Sequence, residues 1–272
     1  MTANLLGTSV ADVLDAIRED TPDVCYVVNP SARVLESLVT AAVDVDDGLP
    51  SLRVLGEAAM LEELMGDFLV ASATADLIEA GTLTLRTTED TTQCSTAISE
   101  DRVIALVEAD DQVGGLSTTD PTFTGTAVAS AAADWETAGE FSLRTPAISR
   151  VLETLATEID EAVEDDFSAV LDELETARGD GDGLDKVTIS LLVAARNGVL
   201  LYDISKWGED VGIASKATFS RTKTKLEDVG LIETEKVPID VGRPRLRLRL
   251  GDPYEGDTVP ELTRAAIDAL SP

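Results

Sequence analysis

Strand-like and helix-like runs alternate over roughly the first half of the chain, and its last third reads helix, short helix, helix, two strands. These patterns predict an α/β N-terminal domain with a mainly parallel sheet, followed by a C-terminal winged helix-turn-helix. Charge divides the chain at the same place. The 272 residues include 52 acidic and 21 basic side chains, for a formal net charge of -31. All six lysines lie at or after Lys186. Residues 186–249 hold twelve basic and eight acidic side chains, a surplus of four, which leaves -35 for the remainder. The organisation expected is an α/β sensor or dimerisation domain over 1–145 and a connecting helix or helices with linker over 146–182. The winged helix-turn-helix takes 183–272. GDGDG, residues 179–183, is the flexible break before it.

In the N-terminal part, VADVLDAIRED (10–20) has helical spacing, and VCYVV (24–28) is a continuous apolar run, as in a strand buried on both faces. SARVLESLVTAA (31–42) sets Val34, Leu35, Leu38 and Val39 on one helical face. SLRVLG (51–56) is a second strand, and helical patterns follow through 60–81. TLTLRTT (82–88) and RVIALVEA (102–109) read as strands, and PTFTGTAVASAAADW (121–135) as a helix. Ligands of open α/β sheets sit beyond the carboxyl ends of strands. Asn29 and Ser31 follow the first long strand, Arg33 lies in the next helix's first turn, and Arg86 and Thr88 stand at another strand end. A helix N-terminus beside an Arg can hold an anion such as a sugar phosphate. Asn29, Ser31, Arg33, Arg86 and Thr88 are therefore the candidate effector-binding residues. The plainer reading makes Ser31 an N-cap and the arginines solvated surface groups.

Residues 145–179 carry an apolar stripe: Ile148, Leu152, Leu155, Ile159, Val163, Phe167, Val170 and Leu174. Unbroken, about 30 residues would span roughly 45 Å. EDDFS (164–168) is a place to split it, with Asp166 capping a second helix. The stripe suits an intramolecular core or a dimer seam equally.

In the C-terminal part, Asp185 caps a helix whose stripe is Val187, Leu191, Leu192 and Ala195. Ile204, Trp207 and Val211 anchor a short second helix that ends near Gly212. Ser215 caps a third helix, 215–229, with Gly230 beyond its end. On a helical wheel Phe219, Thr222, Leu226 and Val229 face inward, while Ser220, Arg221 and Thr224 lie outward with Lys216 and Lys225 at the flanks. Lys223 falls at the core edge, its stem snorkelling or its ammonium meeting a phosphate. LIETEKVPID and RPRLRLRL read as two strands joined by a basic turn near Gly242 and Arg243. A helix with this outward face suits the major groove of double-stranded DNA. Lys216, Ser220, Arg221, Thr224, Lys225, Arg243 and Arg245 are the candidate contacts.

Histidine is absent, which removes Ser–His–Asp triads and ordinary zinc sites. Phosphate-loop and dinucleotide-binding glycine motifs are absent too, so no catalytic residue, metal or cofactor is expected. Two cysteines, no apolar run of membrane length and no export signal in the first twenty residues point to a cytoplasmic protein. Acid spread along the whole chain suits a halophile, whose molar salt screens self-repulsion. GIASKATFSRTKTKLEDVGLIETEKVPIDVGRPRLRL resembles the winged-helix segments of archaeal transcription regulators. The whole chain is similar to the haloarchaeal TbsP family, and its first half looks like the phospholipase-D-like sensor domain of TrmB-type sugar regulators. The phospholipase motif requires His, so the likeness implies no lipase activity. What the resemblance implies is a regulator of sugar-metabolism genes; the expectation drawn with it is a homodimer, with a phosphorylated sugar or other small anion as the effector that the strand-end residues suit. The competing classes are a metabolite-binding α/β enzyme and an adaptor that uses its winged helix for protein interaction.

Overall fold

The computed structural model describes residues 4–6, 9–45, 48–89, 94–109, 112–174, 176–177, 184–238 and 244–271. The chain divides into two compact units, Met1–Gly66 with Ala73–Leu143, and Asp67–Ser72 with Arg144–Pro272.

The first unit is built on an eight-stranded sheet. Its elements, in order, are β1 (Asn4–Leu6), α1 (Val10–Glu19), β2 (Val24–Val28), α2 (Ala32–Val43), β3 (Ser51–Gly56), α3 (Ala58–Leu64), α4 (Phe68–Glu79), β4 (Leu83–Thr87), β5 (Thr96–Ile98), β6 (Val103–Ala109), β7 (Gln112–Thr118), α5 (Pro121–Thr137) and β8 (Gly139–Glu140). The strand order is β1-β7-β6-β5-β2-β3-β4-β8. The strands joined by helices, β2, β3 and β4, pair in parallel, as the alternation of the sequence dictates. Antiparallel pairs extend the sheet on both sides: β5, β6, β7 and β1 beyond β2, and β8 beyond β4. VCYVV is buried as expected, and its alternation sends Tyr26 and Val28 to the face under Ala131 and Trp135 of α5.

The second unit contains α6 (Ile148–Glu158), α7 (Glu161–Asp172), α8 (Lys186–Arg196), α9 (Leu201–Val211), α10 (Lys216–Asp228), β9 (Ile232–Val237), β10 (Arg245–Leu250) and α11 (Val259–Leu270). Helix α8 is its axis: Val187 through Ala195 are all buried, far more than one stripe. It packs against α7, α9, α10 and β10. Leu200 bridges Arg247 as a third strand position beside the β9–β10 hairpin, which completes the winged-helix order.

The stripe of 145–179 is a core element. Val151, Leu155, Val163, Phe167 and Val170 are buried with α8 and α9. The break comes at Ile159, and Asp160, not Asp166, caps the second helix by accepting from the Ala162 N–H. Asp166 instead holds Arg196 at 3.0 Å and accepts from Asn197 at 2.7 Å. Residues Asp67–Ser72 belong to this unit as well. Phe68 meets Phe167 edge-on at 6.4 Å, and Asp67 accepts from the Ala177 N–H at 3.2 Å. No helix among the described residues is long and apolar enough to cross a membrane.

Candidate nucleic-acid interface

Ser215 opens α10 by accepting from the Thr218 N–H at 3.2 Å, the cap that its hydroxyl and position demand. Phe219 and Leu226 are fully buried. Lys216, Ser220, Arg221, Thr224 and Lys225 are exposed, so the wheel places its outward face correctly. Val229 is a correction: it is 43% exposed. The helix has ended there, Gly230 turns the chain at φ +76°, and Leu231 takes the buried position instead.

Gly208 fixes how closely α9 and α10 approach. A Cβ there would lie 2.3 Å from Phe219 Cζ, so only hydrogen lets the ring sit against the α9 backbone. Sequence spacing did not single it out, since a glycine inside a short helix reads only as a weak point.

Lys223 is neither free nor simply snorkelling. Its ammonium sits 2.5 Å from a Glu227 carboxylate oxygen, and the other oxygen accepts from the Thr234 hydroxyl on β9 at 2.8 Å. The polar chain ties the helix to the hairpin, which explains a lysine at the core edge.

Several of the other basic residues are also held within the protein. Lys216 pairs with Glu209 at 2.8 Å, and its backbone N–H donates to the same carboxylate. The hydrogen bonds lower the Glu209 pKa below the ordinary carboxylate range and raise that of Lys216. Arg245 reaches Asp203 at 3.4 Å and lies 4.6 Å above the Tyr202 ring. Arg221 donates to the Thr218 hydroxyl at 3.3 Å, and Thr224 donates to the Ser220 carbonyl. Lys225 makes no ion pair with a described residue. Lys216, Ser220 and Arg245 line one groove of about 330 Å³ with Tyr202, Ser205 and Leu246. Arg221, Thr224 and Lys225 stand on the open helix surface beside it. Arg243 and the tip at Gly242 lie outside the described residues.

Of the effector candidates, Asn29 and Thr88 flank the carboxyl end of β3, Ser31 and Arg33 open α2, and Arg86 turns towards α5. Asn29 ends β2 at φ +46° and donates its N–H to the Leu55 carbonyl. Ser31 caps α2 by accepting from the Val34 N–H at 3.1 Å. Arg33 lines a groove of about 400 Å³ with Ser9, Glu36 and Thr40. Thr88 donates its N–H to Gly56. Arg86 lies instead against α5, its guanidinium carbon 4.7 Å from the Trp135 ring centre.

Family models match nearly the whole chain. One, described as the N-terminal part of TbsP-like transcriptional regulators, covers residues 2–146. The other, their C-terminal helix-turn-helix domain, covers 147–267. Among solved structures, the chain is similar to TrmBL2, an archaeal chromatin protein with a novel mode of DNA binding, at 14% identity and TM-score 0.35. That match covers 52% of this chain and 54% of TrmBL2, so the chain spans about half the length of that relative. It is also similar to Nuc of Salmonella typhimurium, a phospholipase D family member, at 9% identity and TM-score 0.37, covering 52% of this chain and 97% of Nuc. No curated protein matches.

Proposed function

The chain belongs to the TbsP-like family of transcriptional regulators, and on that premise we propose that it reads specific operators by laying α10 in the major groove of double-stranded DNA. The observation that carries this reading is the outward face of α10. In a chain with 52 acidic residues, Lys216 through Lys225 contain none, and the exposed positions are Lys, Ala, Ser, Arg and Thr. In this reading the exposed Arg221 pairs with a guanine edge, and the exposed Ser220 and Thr224 meet bases or phosphates. Arg245, at the start of β10, lies on the hairpin that grips the backbone or the minor groove, and Arg243 is a further candidate contact.

The α/β unit serves as a sensor and dimerisation module. Because the 145–179 stripe is consumed in the second unit's own core, pairing falls to another surface. Val107, Leu116 and Phe123 on the first unit are about half exposed and uncharged, which favours that unit. A two-fold dimer would bind a semi-palindromic operator with half-sites about 34 Å apart. The genes controlled are those of sugar metabolism, in a halophile's cytoplasm.

Fluorescence anisotropy with promoter fragments in molar potassium chloride tests this. Expected is tight binding to one fragment over shuffled DNA. Equal binding to every sequence, or none at any salt, defeats it. Because Lys216 and Arg245 are partly neutralised by Glu209 and Asp203, affinity should fall only shallowly with salt.

A further inference from the structure

The sheet of the first unit carries two arginines on one face. In the parallel pair β3–β4, Arg53 is opposite Thr84 and Leu55 is opposite Arg86. Residues so paired share a face, and alternation returns Arg86 to the face of Thr84. Both arginines reach Trp135 of α5: the Arg53 and Arg86 guanidinium carbons are 5.6 and 4.7 Å from its ring centre. The two charges are thus within about 10 Å of each other. Arg53 also sits 5.5 Å from the Tyr26 ring centre and donates to the Tyr26 hydroxyl at 3.0 Å. Arg86 donates to the Trp135 carbonyl.

Neither arginine forms an ion pair with a described residue, although the chain offers 52 carboxylates. Where this face needs only to be covered, the chain uses Val28, Leu55, Ile98 and Val103 under Ala131. Two like charges beside one ring oppose each other, and Glu140, which the register sets opposite Arg86 on β8 and so on the same face, makes no ion pair with either arginine. Thr84 is exposed on the same face, so the place is open to water.

We propose that Arg53, Arg86 and Thr84 form a binding site for a small phosphate monoester. The two guanidiniums bracket the phosphate, the Thr84 hydroxyl donates to it, and the Trp135 ring walls the organic part. The site gives a location to the anionic effector of the proposed regulator and rests on the sensor reading of this unit, yet it is measurable without DNA.

Trp135 and Trp207 are the two tryptophans, so Trp207→Phe leaves Trp135 as the sole emitter. Glycerol 3-phosphate and inorganic phosphate are titrated into this variant at constant potassium chloride. Expected is a saturable change in emission with the monoester, at a lower half-saturation than with inorganic phosphate. Arg53→Gln or Arg86→Gln should raise that half-saturation at least about tenfold. Isothermal titration of the unmodified chain reads the same binding if Trp207→Phe impairs folding. No saturable response, a tighter response to inorganic phosphate, or unchanged half-saturation in both arginine variants overturns the site. Specific DNA binding without a phosphate response sinks the site alone; a phosphate response without DNA binding sinks the operator reading and leaves the site standing.

Discussion

Gly208→Ala tests how α9 seats α10. The added Cβ would stand 2.3 Å from Phe219 Cζ and 2.4 Å from Cε2, where ordinary contacts begin at 3.4 Å. About 1 Å must therefore be found by moving a fully buried ring or the helix that carries it. Overpacking of this kind costs about 1–3 kcal/mol, and an aromatic ring with no free side belongs at the upper end. Alanine returns about 1 kcal/mol through its better helix propensity. The net expectation is a loss of about 2 kcal/mol, or a fall of roughly 5–10 °C in the melting temperature of the second unit. Thermal unfolding followed by tryptophan emission in molar potassium chloride measures it. Adding Phe219→Leu should make the alanine almost harmless relative to Phe219→Leu alone, because the colliding atoms are gone. Specific DNA affinity should fall with stability, since the displaced element is α10 itself. A Gly208→Ala protein as stable as the parent, or more stable, would refute the close-approach argument.

Arg221→Ala should cost about 1–3 kcal/mol of operator binding and relax the preference at one base pair; an equal loss on all DNA would mean that Arg221 touches only phosphate. Glu209→Gln releases Lys216 and removes a carboxylate beside the start of α10, so anisotropy should show several-fold tighter binding and a salt slope steeper by about one. Glu209's folded pKa is lowered by Lys216. The pairing is therefore complete above the ordinary carboxylate range and lost as pH falls through the lowered value, where parent and variant affinities should converge. Burial pushes the Cys25 thiol up to about 12, so it stays protonated at neutral pH, whereas Cys94 is exposed. An aromatic disulfide reagent should find one reactive thiol in the native chain and two after denaturation; rapid reaction of both in the native chain would contradict the burial of Cys25.

The wheel over 215–229 was legible because Phe219 and Leu226 are the strong apolar residues of a polar segment, and their burial fixes the opposite face. It failed at Val229, where periodicity cannot see that the helix has stopped. The α/β class was legible from β2, β3 and β4, whose apolar runs flank helices. β7 was missed because its inward residues include Gly115 and Ser117, too small to mark a buried face. α11 was missed although Thr258 and Glu261 spell a capping box. Lys223 looked anomalous because its partners, Glu227 and Thr234, lie on two elements and only folding unites them. Arg86 was noticed for its place at a strand end. Its companion Arg53 lies mid-strand, and the ring they share comes from residue 135, so sequence spacing could not join them.

The family's division falls between residues 146 and 147, but the core of the C-terminal unit reaches back to Asp67–Ser72. Phe68 fills space against Phe167, Lys186 lies over its ring, and Asp67 accepts from the Ala177 N–H. Exchanging only the sequence after 146 would seat the incoming half on this chain's own Asp67–Ser72, and a half that does not match Phe68 and Asp67 would meet a gap or a clash there and leave buried polar groups unpaired. Filling or leaving such gaps costs several kcal/mol, a large part of a domain's stability. Residues on the two sides of the family's division therefore have to match one another, whereas substitutions at the exposed positions of α10 leave that match untouched.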